Sequence, residues 1–427
     1  MPVEFASLDA WLAYVEGQHS RPIDLGLDRV REVLVRLDCS SPAAVITVGG
    51  TNGKGSTCAM LEAILRAAGY QVGLYTSPHL LRYNERVRIN QSEASDAQLC
   101  RGFAAVEAAR GEVPLTYFEF GTLAAWWLFC QETLDVIVLE VGLGGRLDAV
   151  NVIEPDCTIV TGVAMDHMDY LGDTRELIGF EKAGIFRAGK PAICGDPQPP
   201  LSLLEHARTI GADLAVQGRD FGYSGDKQQW KFIGRHQSRN SLAYPALRGA
   251  NQLLNASSVL AALEALETRL PVPMQAVRQG LMLVELPGRF QVLPGRPSVV
   301  LDVAHNPQAA AVLADNLANM GFFPDTWAIC GMLSDKDIEG ALRAMLPRVD
   351  HWLLCDLPGP RGARASDLLQ ILHRLGVKER VELFADPHSA YASVRARAGE
   401  GDRIVTFGSF LTVADVMQAI TRTTQSR

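Results

Sequence analysis

The sequence predicts an α/β protein in two parts: an N-terminal P-loop-type domain with a mostly parallel sheet and a small antiparallel patch, and a C-terminal Rossmann-like domain. Three observations carry this reading. The β-branched apolar run 44–48 enters a helical segment through the glycine-rich turn Gly49-Gly50-Thr51-Asn52-Gly53-Lys54-Gly55-Ser56. Further short apolar runs are separated by Gly- and Asp-rich loops, the spacing of a mostly parallel sheet covered on both faces. Periodicity then breaks between Leu286 and Pro297, where Pro and Gly cluster, and a new strand–helix alternation begins.

In chain order, 58–68 reads as a helix stopped by Gly69 and 71–76 as the second strand, together a βαβ beginning. The apolar segment 120–129 reads as a helix in which Trp126 and Trp127 belong to the core. Strands follow at 135–141 and 157–163. The segment 221–245 alternates Tyr223, Trp230 and Phe232 with polar residues, which predicts the antiparallel patch. Helices come next, around 251–268 and 275–283. Beyond the break, strands at 299–303, 327–330, 351–355, 381–384 and 404–407 alternate with helices at 307–319, 338–346, 366–375, 387–398 and 411–420, a Rossmann-like order. The expected division is 1–287, a linker 288–297, and 298–427.

With 427 residues, two cores are the expectation. A net charge of −8 argues against a nucleic-acid or acidic-membrane partner, so a small anionic substrate needs local basic residues. The start of the chain lacks a basic segment followed by an apolar one, and no run is long and apolar enough to span a bilayer, so a cytoplasmic protein is expected. The eight cysteines are scattered without a C-x-x-C pair; they indicate neither a disulfide framework nor a zinc site and read as small buried hydrophobes.

The glycine turn has the physics of a triphosphate cradle. Glycines let backbone N–H groups approach an anion, the helix N-terminus adds partial positive charge, and Lys54 neutralises a β- or γ-phosphate. The common P-loop places Ser or Thr directly after Lys, whereas here Gly55 precedes Ser56; a tight turn without a ligand is the plain alternative. Glu140 closes an otherwise apolar strand at the carboxyl edge, where open α/β sheets bind ligands. It reads as a ligand of a phosphate-bridging Mg²⁺ or as an exposed strand-end Glu. Asp166 and His167 follow the next strand in the same way, and the coincidence with Glu140 makes His167 a candidate ligand rather than only a structural His. Ser77, before Pro78 and His79, reaches the same ion or belongs to an ordinary Ser-Pro turn. Lys182 lies in an amphipathic helical stretch and, by itself, reads as part of a solvated face. Asp302, His305 and Asn306 end the first strand of the second domain, where an N-cap at Asn306 with Pro307 behind it accompanies any ligand role.

Taken together, these segments resemble the Mur ligase superfamily, and within it the bacterial bifunctional enzymes that make dihydrofolate and extend folate glutamate tails. The resemblance runs through Asp24-Leu25-Gly26-Leu27, the glycine turn with its Gly between Lys and Ser, Thr76-Ser77-Pro78-His79-Leu80 and Leu115 to Phe120. It continues through Glu140 to Ala149, Asp166-His167, Glu181-Lys182-Ala183-Gly184-Ile185, Pro287-Gly288-Arg289-Phe290 and Asp302 to Pro307. It implies ATP-dependent amide ligation through an acyl phosphate, with dihydropteroate, reduced folates, L-glutamate and ATP as substrates and Mg²⁺ as the ion. Thr51, Asn52, Gly53, Lys54, Gly55 and Ser56 would hold the phosphates, and Ser77, Glu140 and His167 the Mg²⁺. Asn251, Arg289, Asp302 and His305 would contact nucleotide, and the pterin would lie against Leu25, Gly26, Thr116, Tyr117, Phe118, Glu119, Leu147, Asp148 and Ala149. Lys54, Lys182, Asp302 and His305 are the implied catalytic residues, with Lys182 matching a lysine that similar enzymes carry as a carbamate. A monomer is expected. The alternatives are a ligase of peptidoglycan precursors, which usually carries a further N-terminal domain where only a short lead is present here, and a P-loop small-molecule kinase.

Overall fold

The computed structural model describes residues 5–21, 23–226, 228–249 and 251–425. The chain divides into two compact units, Met1–Ala246 with Leu253–Val284, and Leu247–Gln252 with Glu285–Arg427.

The main sheet of the larger unit contains β1 (Ala44–Gly49), β2 (Val72–Tyr75), β3 (Val87–Ile89), β4 (Ser92–Glu93), β5 (Val136–Glu140), β6 (Cys157–Val160), β7 (Pro191–Cys194) and β8 (Asp213–Val216). Their order is β4-β3-β2-β5-β1-β6-β7-β8. The pairings are parallel except at β2–β3 and β3–β4. Strand β1 is therefore central. Val48 pairs with Glu140 of β5 and Gly49 with Val160 of β6, so the glycine turn, Glu140 and the loop after β6 leave the sheet side by side. Buried on both faces, these strands read as unbroken apolar runs, which is why they were predictable. Trp11, Phe103, Phe120 and Phe129 anchor the core on one face, with Trp126 buried and Trp127 packed against it.

Two of the boundaries that differ from the sequence reading lie at the glycine turn. The first crossover helix, Lys54–Ala67, begins four residues before the predicted start, directly behind Gly53 in a left-handed conformation (φ +91°). Strand β6 stops at Val160, and Thr161 to Ala164 turn aside to bond the glycine turn instead of extending the ladder. The segment 222–242 forms the separate antiparallel sheet of β9 (Gly222–Gly225), β10 (Trp230–Ile233) and β11 (Ser238–Leu242), with Trp230, Phe232 and Leu242 buried. The Leu8–Glu16, Asp28–Leu37 and Asp96–Arg110 helices carry no feature that the sequence reading used.

The smaller unit holds β12 (Gln291–Leu293), β13 (Ser298–Leu301), β14 (Thr326–Cys330), β15 (His351–Cys355), β16 (Val381–Phe384) and β17 (Arg403–Phe407), in the order β12-β13-β17-β14-β15-β16. Only β12, which lies within the segment read as a linker, runs antiparallel to its neighbour. The Pro307–Ala318 helix starts as its sequence suggests: Asn306 Oδ1 accepts from Ala309 N at 2.9 Å with Pro at the first turn. No helix among the described residues is long and apolar enough to cross a membrane.

The Lys54–Ala67 helix is buried continuously from Ser56 to Leu65 because the Met274–Leu283 helix lies directly on it at Gly280. A Cβ at Gly280 would stand 2.5 Å from Ile64 Cα and 2.6 Å from its N, both backbone atoms with no side-chain freedom. Gly280→Ala should therefore destabilise the larger unit by about 1–3 kcal/mol, read as a lower denaturant midpoint. An unchanged midpoint would show that the two helices part at little cost.

Candidate active site

The phosphate-type turn is built by close backbone approach. Gly50 has φ +138°, and a Cβ there would lie 2.0 Å from Thr161 Oγ1. One on Gly53 would lie 2.6 Å from Asn255 Oδ1. Thr161 Oγ1 donates to Asn52 O at 2.7 Å, Thr51 N donates to Gly162 O at 2.8 Å, and Thr51 Oγ1 both accepts from Ala164 N and donates to Ala164 O. The Lys54 amine folds back over the turn, donating to Gly50 O at 3.1 Å and Thr51 O at 3.2 Å. The cradle thus keeps its glycines, its helix N-terminus and its ammonium on one spot, an arrangement that fits an anion.

Beside the cradle, Glu140 is buried, which removes the exposed strand-end alternative, and its Oε2 accepts from Ser77 N at 3.1 Å. The Ser77 backbone N–H thus ties the end of the second strand to the Glu140 carboxylate, a hard oxygen donor. His167 takes a left-handed backbone (φ 52°), with Asp166 Oδ1 accepting its N–H at 2.9 Å. Among the described residues no three His, Cys, Asp or Glu side chains form a complete cage. A partial set of hard donors suits Mg²⁺, which keeps several waters and takes phosphate oxygens.

Lys182 is not on a solvated face. It is 4% exposed, because two glycines let the 142–149 loop press onto its helix. A Cβ at Gly145 would lie 2.8 Å from Glu181 O, and one at Gly184 2.3 Å from Arg146 Cβ. Burial lowers the Lys182 amine to about 7; Lys54 pushes the same way, while Asp166 and Asp148 oppose it. Asp148 is raised to about 7, chiefly by burial, against N–H groups that include those of Leu143 and Val150.

The structure brings the three segments expected around the pterin together. Thr116 and Glu119 form a reciprocal cap at the start of the Tyr117–Cys130 helix. Arg29 Nη2 donates to Glu119 Oε1 at 2.9 Å, and its Nη1 to Asp24 Oδ2 at 2.6 Å, which ties in the strip with Leu25 and Gly26. Phe118 lies on Gly142, where a Cβ would come 2.5 Å from the ring, so this turn abuts the loop carrying Leu147, Asp148 and Ala149. Glu119 is buried with both oxygens engaged, which makes it an anchor of the segment.

In the smaller unit, Asp302 Oδ2 accepts from Phe290 N at 2.9 Å and Oδ1 from Ala304 N at 2.8 Å. Burial raises its carboxyl, against the Arg289 charge. The Arg289 guanidinium stands 5.1 Å from the Phe410 ring, and His305 Nδ1 lies 2.8 Å from Val303 O. Arg289, Asp302 and His305 therefore make one cluster, with Asn251 in the same unit. The sequence reading missed Thr161 and Asn255, which floor the glycine turn, and Arg29; the constraint at Gly50 and Gly53 signals that something packs beneath them without saying what.

Two family models match the chain: the Mur ligase middle domain over residues 48–195, and the Mur ligase glutamate ligase domain over residues 288–410. The dihydrofolate synthase/folylpolyglutamate synthase of Escherichia coli (strain K12) is 46% identical over 420 residues, covering 98% of this chain and 97% of the relative. The structure of E. coli FolC in complex with DHPP and ADP superposes with a TM-score of 0.94 at 45% identity, covering 99% of this chain and 100% of that one. A bifunctional folylpolyglutamate synthase/dihydrofolate synthase with Mn, AMPPNP and L-glutamate bound gives 0.91 at 46% identity, with 99% and 100% covered.

The Lys182 amine titrates at its ordinary 10.5 in the unfolded chain and at about 7 in the fold. Between those values the unfolded state binds the extra proton, so this residue makes the fold more stable as pH rises through that window. Lys182→Met should flatten the rise, measured as the difference in denaturant midpoint between about pH 7 and pH 9. Equal slopes in the two proteins would show that the buried amine does not titrate there.

Proposed function

This chain belongs to the dihydrofolate synthase/folylpolyglutamate synthase family of Mur ligases, and from that premise we propose that it joins L-glutamate to dihydropteroate and to the glutamate tails of reduced folates at the expense of ATP. One observation carries the reading to these residues. The chain leaving Glu140 runs directly through Gly142, which Phe118 covers, to Asp148, so the phosphate cradle, the Ser77–Glu140 pair and the pterin segments are contiguous in one unit.

In the proposed reaction a substrate carboxylate oxygen attacks the γ-phosphorus of ATP and ADP leaves, giving an acyl phosphate. The amino group of glutamate then attacks the acyl carbon, loses a proton and expels phosphate. Most of the work is positioning and charge neutralisation. Thr51 to Ser56 hold the phosphates through backbone N–H groups, with Lys54 neutralising their charge. Ser77, Glu140 and His167 would hold Mg²⁺, which would supply charge neutralisation at the phosphates. Leu25, Gly26, Thr116 to Phe118 and Leu147 to Ala149 receive the pterin, with Glu119 fixing its turn. Arg289, Asp302, His305 and Asn251 are assigned as ligand contacts of the smaller unit.

Lys182 is assigned as a carbamate: its neutral amine adds to CO₂ and releases a proton, placing an anion where a buried cation stood. A lysine near its ordinary 10.5 is almost wholly protonated at neutral pH, whereas one at about 7 offers the free amine this needs. Residues 1–287 are assigned to ATP binding, 298–427 to the ligase domain, and 288–297 to the connection between them. A monomer suffices, since the cradle, the ion ligands and the pterin segments come from one chain. Cytoplasm is the proposed location: no cysteine is in a disulfide among the described residues, which fits a reducing compartment.

Purified protein with ATP, Mg²⁺ and glutamate should convert both dihydropteroate and tetrahydrofolate to glutamate adducts with stoichiometric ADP. ADP release that ignores glutamate would instead indicate a kinase. In the same assay Glu140→Gln should need at least about tenfold more Mg²⁺ for half-maximal rate, through loss of a charged ligand; an unchanged requirement would leave Glu140 a structural role only.

Incubated with ¹³C-bicarbonate, the protein should show a carbamate resonance that is missing from Lys182→Met. A spectrum without one, in fully active protein, would refute the carbamate.

A further inference from the structure

Arg86 ends the helical turn Tyr83–Arg86, and its carbonyl accepts from Thr76 N at 2.9 Å, which binds it to the strand end that carries Ser77. Its guanidinium carbon stands 5.3 Å from the centre of the Tyr83 ring and 5.4 Å from that of Tyr117. These rings meet edge to face, and Tyr117 belongs to the pterin turn. Arg86 thus reaches from the ion-binding strand end to the pterin segment.

Its Nε donates to His79 Nδ1 at 2.8 Å. A nitrogen that accepts from a guanidinium is unprotonated, so the hydrogen of this neutral imidazole sits on Nε2 as a donor. No carboxylate among the described residues pairs with Arg86. Its neighbours are engaged elsewhere: Glu85 accepts from the N–H groups of Leu80, Leu81 and Arg82, Glu93 holds Arg82, and Glu62 holds Arg88. A half-buried guanidinium between two tyrosine rings, without a counter-ion and joined to a neutral N–H donor, is suited to a planar carboxylate.

We propose that Arg86, oriented by His79, Tyr83 and Tyr117, recognises the α-carboxylate of the terminal glutamyl residue on folate substrates and so distinguishes them from dihydropteroate. This rests on the folate-ligase reading above. The reacting γ-carboxylate of a glutamyl tail has to lie at the phosphate cradle near Ser77 and Glu140. The α-carboxylate belongs to the same residue, only three carbons along, and falls beside the strand end to which Arg86 is tied. Dihydropteroate has one carboxylate, which is itself the reacting group, and presents no second anion to Arg86.

The test compares tetrahydrofolate with its α-carboxamide analogue, and both with dihydropteroate. On the wild-type protein the amide should raise KM at least tenfold. Arg86→Gln should lower the ratio of kcat/KM for tetrahydrofolate to that for dihydropteroate at least tenfold and should no longer discriminate acid from amide. If Arg86→Gln does not fold, Arg86→Lys replaces it, with discrimination reduced but present because one ammonium keeps the charge without the fork. Equal use of acid and amide by the wild type, or discrimination undiminished in the variants, overturns the proposal while leaving the ligase intact. A wild-type protein that forms no adduct from any pterin substrate overturns the folate reading itself.

Discussion

The hydrogen-bonded seam between the turn after β1 and the loop after β6 is the constraint on which the site depends. Thr51 exchanges bonds with Ala164, its N–H reaches Gly162 O, and the Thr161 hydroxyl holds Asn52 O. Backbone groups near a ligand edge need partners as much as those in a ladder do. Here the seam supplies them, at the cost of ending β6 early. Contact this close excludes a side chain at Gly50, and the glycine therefore serves the seam beneath it as well as any anion above it. Because the seam joins adjacent parallel strands, the glycine turn and the start of the loop leading to His167 are tied to each other, the kind of preorganisation that phosphoryl chemistry requires.

Much of the fold was legible because parallel strands buried on both faces leave unbroken apolar runs, as in β1, β5 and β6. The glycine turn itself was legible too, since its glycines and lysine are contiguous in sequence. What escaped notice depends on distant partners. β3 and β4 are too short and half-exposed to show a pattern. The helix behind the glycine turn starts among polar residues, so apolar periodicity placed its beginning a turn late. Lys182 shows the limit most clearly. Its local sequence is that of an amphipathic helix with a lysine near the end, and its burial comes from Gly145 and Gly184, which admit a loop from elsewhere in the chain. Arg29 and Arg86 were silent for the same reason, since an arginine's sequence neighbours do not say which ring or carboxylate it will meet.

The polar interior follows a division of labour. Glu119 has both oxygens engaged, and Arg29 uses its two terminal nitrogens on Glu119, Asp24 and backbone, so their charges hold segments in place. Lys54, Asp148 and Lys182 instead stand among one another, with burial shifting Asp148 and Lys182 to about 7 from opposite directions. Desolvation disfavours whichever form is charged, and structural ion pairs offset it with close partners. Buried groups held this near neutrality are poised for a ligand that changes the local charge.

That electrostatic situation links the ion to the state of Lys182. Burial penalises an anionic carbamate as it penalises the ammonium, so adding CO₂ gains nothing from desolvation alone. Lys54, which disfavours the ammonium form of Lys182, favours an anion at the same place, and a divalent cation, if held by Glu140 and Ser77 as proposed, would favour it further. By linkage, whatever an ion contributes to carbamate formation the carbamate returns to ion affinity. A bare Lys182 would oppose the ion, and a carbamylated one would recruit it. The buried amine and an ion bound at Glu140 would thus be coupled through charge, and the glycines that bury Lys182 would act on ligation by setting that charge.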